Sequence, residues 1–151
     1  MRELNEGLVT ALRTHLPTNA TTLQTFSGAF AVFAQLPVPD AVATKAPASA
    51  ADPLMYLTVG PTVSDENPLD KGANQREVLT QVTVWAMKEY HSASSVDLKA
   101  QEIITELHRQ PARVTVTGWS LQLIEVQGVV DNDVDYWFGR VVGVRALLDK
   151  N

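Results

Sequence analysis

The sequence predicts an α+β fold, a mainly antiparallel sheet of about four to five strands with one long helix packed across it and an N-terminal helix. Three observations support this prediction. A long apolar strand pattern covers 76–87, a capped amphipathic helix pattern follows it directly, and two further strand patterns close the chain. Strand runs separated by turn signals pair antiparallel, and the apolar stripe of a helix needs a sheet face to cover.

Size and composition predict a single folded domain. The chain has 151 residues, 45% of them hydrophobic and 19% charged, which is typical of a soluble domain with a real core. We expect one domain over 1–151, divided into an N-terminal helix at 1–16, a flexible segment rich in proline and alanine at 38–53, and an α+β core at 54–149. With no cysteine in the sequence, disulfides and thiolate chemistry are excluded.

The charge of the chain limits its partners. A net charge of −5 and a pI near 5.1 argue against a general grip on nucleic acid, which needs clustered Lys and Arg at the phosphates. DNA could still pass by without being held.

The sequence also lacks the roughly 18 uninterrupted apolar residues of a membrane span, and its start lacks the pattern of a signal peptide. We therefore expect no membrane partner.

The first helix is predicted from about Glu3 to His15. Apolar residues recur at helical spacing along this stretch, and Pro17 ends the pattern. Further on, 38–53 is rich in alanine and proline. Small side chains there bury too little apolar area to offset the entropy of the chain, so we expect this segment to be poorly ordered alone.

The central strands are predicted at 54–59 and from about Arg76 to Met87, joined by a long polar loop over 62–75. Apolar residues lie on both faces of the second strand, which indicates cover on each side by protein, either from this chain or from another subunit.

The following helix is predicted to begin after Ser94, with Ser94 and Asp97 at capping-box spacing. Its apolar stripe ends before Pro111. Strands at Trp119–Gln127 and Val134–Leu148, with a turn at Asp131–Asp133, complete the prediction.

Candidate chemical motifs favour structural interpretations. The alternating oxygen ligands of Asp131, Asp133 and Asp135 resemble the start of a calcium loop, but Tyr136 and Val142 stand where glycine and glutamate are needed. An acidic hairpin turn explains them better. The histidines lie at no ligand spacing, no Gly-rich phosphate loop follows a strand, and no serine has a nucleophile context. We expect no enzyme activity, catalytic residue, cofactor or metal.

One long part of the sequence resembles a known family. The pattern runs LMYLTVG, a polar loop, REVLTQVTVWAMKEYHSASSVDLKAQEIITELH, VTGWSLQLIEVQG and DNDVDYWFGRVVGVRALL. It is similar to the tail-terminator or tail-completion proteins of long-tailed bacteriophages over Leu54 to Leu148. This resemblance rests on the pattern rather than on an invariant motif, and 18–53 fits it less well.

The resemblance implies a virion structural protein that forms a ring, expected to be a hexamer. Such a ring would cap the tail tube, end its polymerisation and present a surface to the head connector. Partners would be other copies of the chain, the tail tube protein and the connector or head-completion protein, with DNA only passing through the lumen. The location would be the head-proximal end of the tail, and the host cytoplasm during assembly.

Residue chemistry indicates which side chains lie at interfaces. Aromatic residues and arginine concentrate at interface centres, which favours Trp85, Trp137 and Arg140 for subunit contacts. The loop over 65–74, with Asp65, Glu66, Asp70 and Lys71, and the segment 41–51 are expected to face the tube or connector. Two alternatives stay open: another head–tail joining or minor tail protein of the same region, and a small-molecule-binding α+β domain.

Overall fold

The computed structural model describes residues 1–16, 25–26, 29–30, 32–34, 55–67 and 74–151. The order of elements is α1 (Arg2–His15), β1 (Thr25–Phe26), β2 (Ala29–Phe30), β3 (Val32–Ala34), β4 (Met55–Val59), β5 (Ser64–Glu66), β6 (Gln75–Met87), α2 (Ala93–Leu107), a 3-10 turn (Pro111–Arg113), β7 (Trp119–Asp131) and β8 (Trp137–Lys150). Neither helix in this part of the chain has the length and apolar character that crossing a membrane requires.

One six-stranded sheet dominates the structure, with the order β3-β4-β6-β8-β7 and β5 paired to β6. Strand β8 is central, because it pairs along its length with β6 on one side and β7 on the other. Strands β4 and β5 follow one another along the remaining side of β6, with Val59 opposite Val82 and Ser64 opposite Leu79. A separate pairing joins β1 and β2.

The core lies between one sheet face and the two helices. Helix α1 contacts β3 and β4, while α2 contacts β6, β7 and β8. Alternate positions of the long strands point into this core, as expected from the two-residue period of a strand. The fully buried apolar side chains include Leu4, Leu8, Leu12, Leu57, Val82, Val84, Ile103, Ile124, Val142 and Leu148.

One buried polar contact ties α1 to the sheet. Asn5 is 3% exposed, and its Oδ1 accepts a hydrogen bond from Thr80 Oγ1 at 2.8 Å. Its amide nitrogen also donates to Thr62 Oγ1 at 3.3 Å. Because both ends of the Asn5 amide have partners, this side chain can be buried without the cost of an unsatisfied polar group.

The predicted fold class was wrong. The sheet has six strands and is mixed, since β3 runs parallel to β4. The apolar face is shared by two short helices of 14 and 15 residues, so no single long helix lies across the sheet. The prediction missed β3 because the surrounding prolines and alanines indicated irregular structure, and it missed β5 because Ser64–Glu66 is polar.

The predicted cap of α2 was also wrong. The N-cap is Ser92, whose Oγ accepts from the backbone N–H of Ser95 at 3.2 Å. Ser94 lies inside the helix, and Asp97 binds an arginine of β8 instead of the start of the helix. The segment 38–53 and the residues Asp70 and Lys71 lie outside the described part of the chain.

Candidate assembly surface

The far end of the β7–β8 hairpin has a continuous run of exposed residues at 127–136, beside β8 positions 137–141 that remain paired with β6. We call residues 127–141 the distal hairpin. Val134 and Trp137 exchange two backbone hydrogen bonds, of 3.0 and 2.8 Å, around a turn at Asp135 and Tyr136. Asp135 has a φ of 48°, a left-handed conformation that aspartate tolerates better than most residues. The predicted turn therefore lies slightly later, at 135–136.

Large apolar side chains at this end are solvent-exposed. Val130 is 67% exposed and Tyr136 is 79% exposed, with Val129 and Val134 at 40% and 43%. Exposed apolar residues are ordinary when single, and a group of them at one end of a hairpin is a candidate interaction surface. The distal hairpin is consequently the first candidate for contact with another molecule.

Arg140 holds the base of the distal hairpin from the core side. Its guanidinium donates to Asp97 Oδ1 at 2.7 Å, to Asp133 Oδ1 at 2.8 Å and to the Gly139 carbonyl at 2.9 Å. Asp131 lies 3.1 Å away. Burial opposes the charged form of Arg140, but the hydrogen bonds to Asp97 and Asp133 outweigh it, so the pKa of Arg140 is raised.

Asp133 is the second fixed member of this group. Its Oδ1 accepts from the backbone N–H of Gly139 at 3.1 Å as well as from Arg140. The Gly139 hydrogen bond, helped by Arg140 and opposed by partial burial, lowers the pKa of Asp133. Two of the three carboxylates that resembled a calcium loop, Asp131 and Asp133, thus lie against a guanidinium. No group of three or more His, Asp or Glu able to hold a metal occurs among the described residues.

The two predicted tryptophans lie together on the sheet face opposite the core. Tyr56 packs edge-on against Trp137, with ring centroids 5.6 Å apart, and against Phe33 at 6.3 Å. Trp85 joins this cluster and donates from Nε1 to Thr58 Oγ1 at 3.2 Å. Trp137 is 5% exposed, whereas Trp85 is half-buried. Trp85 is therefore the more accessible of the two, and Arg140 lies on the other face.

Further along the same open face, Arg145 bridges three strands. It donates to Glu77 on β6 at 2.7 Å and to Glu125 on β7 at 3.2 Å. The hydrogen bond to Glu77 is the main reason that the pKa of Arg145 is raised. Such a row of charges across β6, β8 and β7 keeps part of the open face polar.

The predicted acidic residues Asp65 and Glu66 lie in β5, at an edge of the sheet. Asp65 is 3.6 Å from Arg76 and 3.9 Å from the amino group of Met1. That amino group also donates to Thr62 Oγ1 at 2.6 Å. Asp65 is thus tied to both the N-terminus and β6, while Glu66 is exposed. The structure separates these two residues from the tryptophan cluster.

His108, just after α2, has a structural contact. His108 accepts a hydrogen bond on Nδ1 from the backbone N–H of Val126 at 3.1 Å, and Arg109 N–H donates to the Ile124 carbonyl at 2.8 Å. Both contacts cover the outer edge of β7. The end of α2 therefore shields part of an edge strand that would otherwise stay open.

Sequence reasoning missed Asp97, Val130, Val134 and Tyr136. A hairpin turn at 135–136 would have placed Asp131 opposite Arg140, so that pair could be found from hairpin register. Asp97 could not, because its contact with Arg140 depends on how α2 packs on the sheet.

No family model and no curated protein sequence matches the chain. Among solved structures, it is similar to a chain from the virion of a native gene transfer agent particle, with 15% identity, a TM-score of 0.69, and coverage of 97% of this chain and 94% of that one. A second solved structure, at 12% identity and a TM-score of 0.52, covers 99% of this chain and 94% of its own. At such identities the likeness establishes a shared fold over nearly the whole chain.

Proposed function

We propose that the chain is a virion structural protein of a tailed, phage-like particle. Within that class, we propose that it forms a ring on the end of the tail tube, ends tube polymerisation and presents a surface for the head connector. Its work is binding, and the proposal includes no catalytic step. It would act at the head-proximal end of the tail, after assembly in the host cytoplasm.

The observation that carries this proposal is the full-length fold similarity to a chain of a gene transfer agent virion, at a TM-score of 0.69. The similarity covers 97% of this chain and 94% of that one. The pattern of the sequence supports the same class independently, through its resemblance to tail terminators over Leu54 to Leu148.

The surfaces described above suit a subunit that binds proteins. Half-buried Trp85 and Met87 lie on the open sheet face, and exposed Val130 and Tyr136 lie on the distal hairpin. Ring closure needs two different surfaces of the same subunit that fit each other, because a head-to-tail contact repeated by rotation closes on itself. We propose Trp85 for the subunit contact, with Trp137 and Arg140 supporting it from inside the subunit.

An acidic element would face the tube or the connector. We propose this role for Asp65 and Glu66 of β5, continuing into Asp70 and Lys71. Acidic walls would also let DNA pass the ring without being bound, since like charges repel. DNA passage should therefore slow when these acidic residues are replaced by lysine, and unchanged passage would count against acidic walls.

Electron microscopy of particles made without the chain tests the function. Tails of excess and variable length are expected if the chain ends tube growth. Normal tails lying free beside tailless heads would instead indicate a head–tail joining role, the second candidate. Normal infectious particles would overturn both.

Solution mass provides the second test. The purified chain should form a closed oligomer, alone or with tail tubes, and native mass spectrometry gives its copy number. We propose six copies. A chain that stays monomeric with and without tubes would contradict the ring. A Trp85→Ala variant should weaken the oligomer, while Val63→Ser, a change at a 65% exposed residue away from the tryptophan cluster, should not.

A further inference from the structure

The outer edge of β7 is covered along only part of its length. His108 and Arg109 bind the edge at Val126 and Ile124, through contacts of 3.1 and 2.8 Å. Beyond this point all residues from Gln127 to Asp131 are exposed. An open edge with apolar side chains readily recruits another chain, and folded proteins usually cover it or protect it with charge.

The distal hairpin combines an apolar surface with unbalanced negative charge. Val130 and Tyr136 are 67% and 79% exposed. On the core side of the same hairpin, the carboxylates of Asp131, Asp133 and Asp97 share the single guanidinium of Arg140. Arg140 is buried, whereas Asp131 and Asp97 are 75% and 62% exposed. Val130 and Asp131 are consecutive in β7 and point to opposite faces, so this end of the sheet is apolar on one face and acidic on the other. Exposed Lys88, whose Nζ lies 5.6 Å from the Phe138 ring, adds one cation, which leaves an excess of carboxylates.

Complementary charge must come from the occupant, and a second copy of this chain has little to offer. Of the ten lysine and arginine side chains in the described residues, seven are bound to acceptors within the subunit: Arg2 with Glu6, Arg13 with the Val32 carbonyl, Arg76 with Asp65, Lys99 with Glu102, Arg113 with Glu106, Arg140 with its aspartates, and Arg145 with Glu77 and Glu125. The other three are Lys88, Arg109 and Lys150, and the chain as a whole has a net charge of −5. Nucleic acid would be repelled by the carboxylates.

We propose that the distal hairpin docks onto a different virion protein whose contact surface has lysine or arginine side chains around an apolar patch. The partner's basic groups would face Asp131 and Asp97, while Val130 and Tyr136 enter the apolar patch. Tyrosine at the centre of an interface contributes a large contact area at low entropic cost. This assignment rests on the proposed function only in placing the chain in a virion, and it is separate from the subunit contact at Trp85.

Zero-length coupling of carboxylates to amines in intact particles tests the docking. Mass spectrometry should identify links from Asp131 or Asp135 to lysines of a different virion protein. Links to Lys88 that also form in the isolated protein are internal and do not count. Links that join the distal hairpin only to a second copy of this chain would overturn the proposal. Absence of the chain from purified particles would overturn the proposed function itself.

Hydroxyl-radical footprinting provides an independent measurement that also detects arginine-based docking. Oxidation of Tyr136 should fall at least about tenfold between the isolated ring and the particle, whereas oxidation of exposed Tyr90 provides the comparison within the same chain. Equal oxidation of Tyr136 in both states would refute the docking even if the chain is present and forms rings.

Substitutions in the distal hairpin test whether its exposed side chains are needed for entry into particles. A Val130→Ser, Tyr136→Ala double variant should form rings as the parent does but enter particles at least about tenfold less efficiently. Val63→Ser, at a 65% exposed residue of the opposite end of the sheet, is the apolar control and should enter particles normally. Normal incorporation of the double variant would contradict the proposal, as would loss of the ring in that variant with unchanged thermal stability.

Discussion

Arg140 and Asp97 are separated by 43 positions in the chain, and a hydrogen bond of 2.7 Å joins them. The bond ties the start of α2 to the distal hairpin across the edge of the core. Because Arg140 is buried while Asp97 is mostly exposed, the guanidinium loses its water and depends on the carboxylates for compensation. The position of the distal hairpin relative to the helix is thus set by charge as well as by packing.

Replacement of Arg140 by methionine should destabilise the fold. The substitution removes the charged hydrogen bonds and leaves three carboxylates close together, although their exposure lets water solvate them. We expect a loss of about 2 kcal/mol in the free energy of unfolding, measured with urea. Arg2→Met is the control, since Arg2 is 81% exposed and its ion pair with Glu6 lies on the surface, so its loss should stay under about 0.5 kcal/mol. Equal losses in both variants would contradict the role given to Arg140.

The lowered pKa of Asp133 predicts a pH dependence. A carboxylate whose pKa is lower in the folded than in the unfolded state stabilises the fold above its unfolded value, here near 3.8, and this contribution disappears as the pH falls through the lower folded value. The difference in unfolding free energy between the parent and Asp133→Asn should therefore be largest at neutral pH and shrink below pH 3.8.

The amide of Gly139 reports this titration directly, because it donates to Asp133. Its proton chemical shift should change at a pH below 3.8, while the amide of Gly60, which donates to the Gln81 carbonyl, should not follow the same curve. A Gly139 amide shift that changes at or above pH 3.8 would refute the lowered pKa.

Two glycines of β8 form a matched pair. A Cβ at Gly139 would overlap the Asn132 carbonyl and approach Trp85 Cζ3 to 2.9 Å, whereas at Gly143 the nearest atom is 3.9 Å away. Gly139→Ala must displace backbone of the distal hairpin and should cost about 1–3 kcal/mol. Gly143→Ala should change the free energy of unfolding by less than about 1 kcal/mol. Faster amide exchange at Asn132 and Val134 in Gly139→Ala would show where the strain is released.

The sequence predicted those elements that local pattern determines and missed those set by tertiary contacts. The stripe of Leu4, Leu8 and Leu12 indicates α1, and the alternation along β6 indicates a strand with two apolar faces. By contrast, β3 has only three residues and is stabilised by its parallel pairing with β4. No local periodicity in the sequence predicts that pairing. The missed parallel strand and the short helices are why the predicted fold class failed.

On the candidate surface too, the sequence indicated some residues and missed those whose role depends on tertiary contacts. Trp85 and Trp137 could be singled out as large aromatics, and register then places them in one cluster. The sequence favours Arg140 for a subunit contact, but the side chain is 4% exposed, because Asp97 from an element distant in sequence compensates its buried charge. Tyr136 gave no local sign of its 79% exposure, which follows from its place in the turn closed by Val134 and Trp137.

Two serines near the start of α2 distinguish the predicted cap, Ser94, from the observed cap, Ser92. Ser92 Oγ accepts from the Ser95 N–H at 3.2 Å, satisfying one of the backbone donors left free at a helix start. Ser92→Ala should therefore lower the free energy of unfolding by about 1 kcal/mol. Ser94→Ala, inside the first turn, should change it by less than about 0.5 kcal/mol, with alanine's better helix propensity favouring a slight gain. The reverse order of effects in urea unfolding would indicate that the helix begins two residues later and that Ser94 caps it.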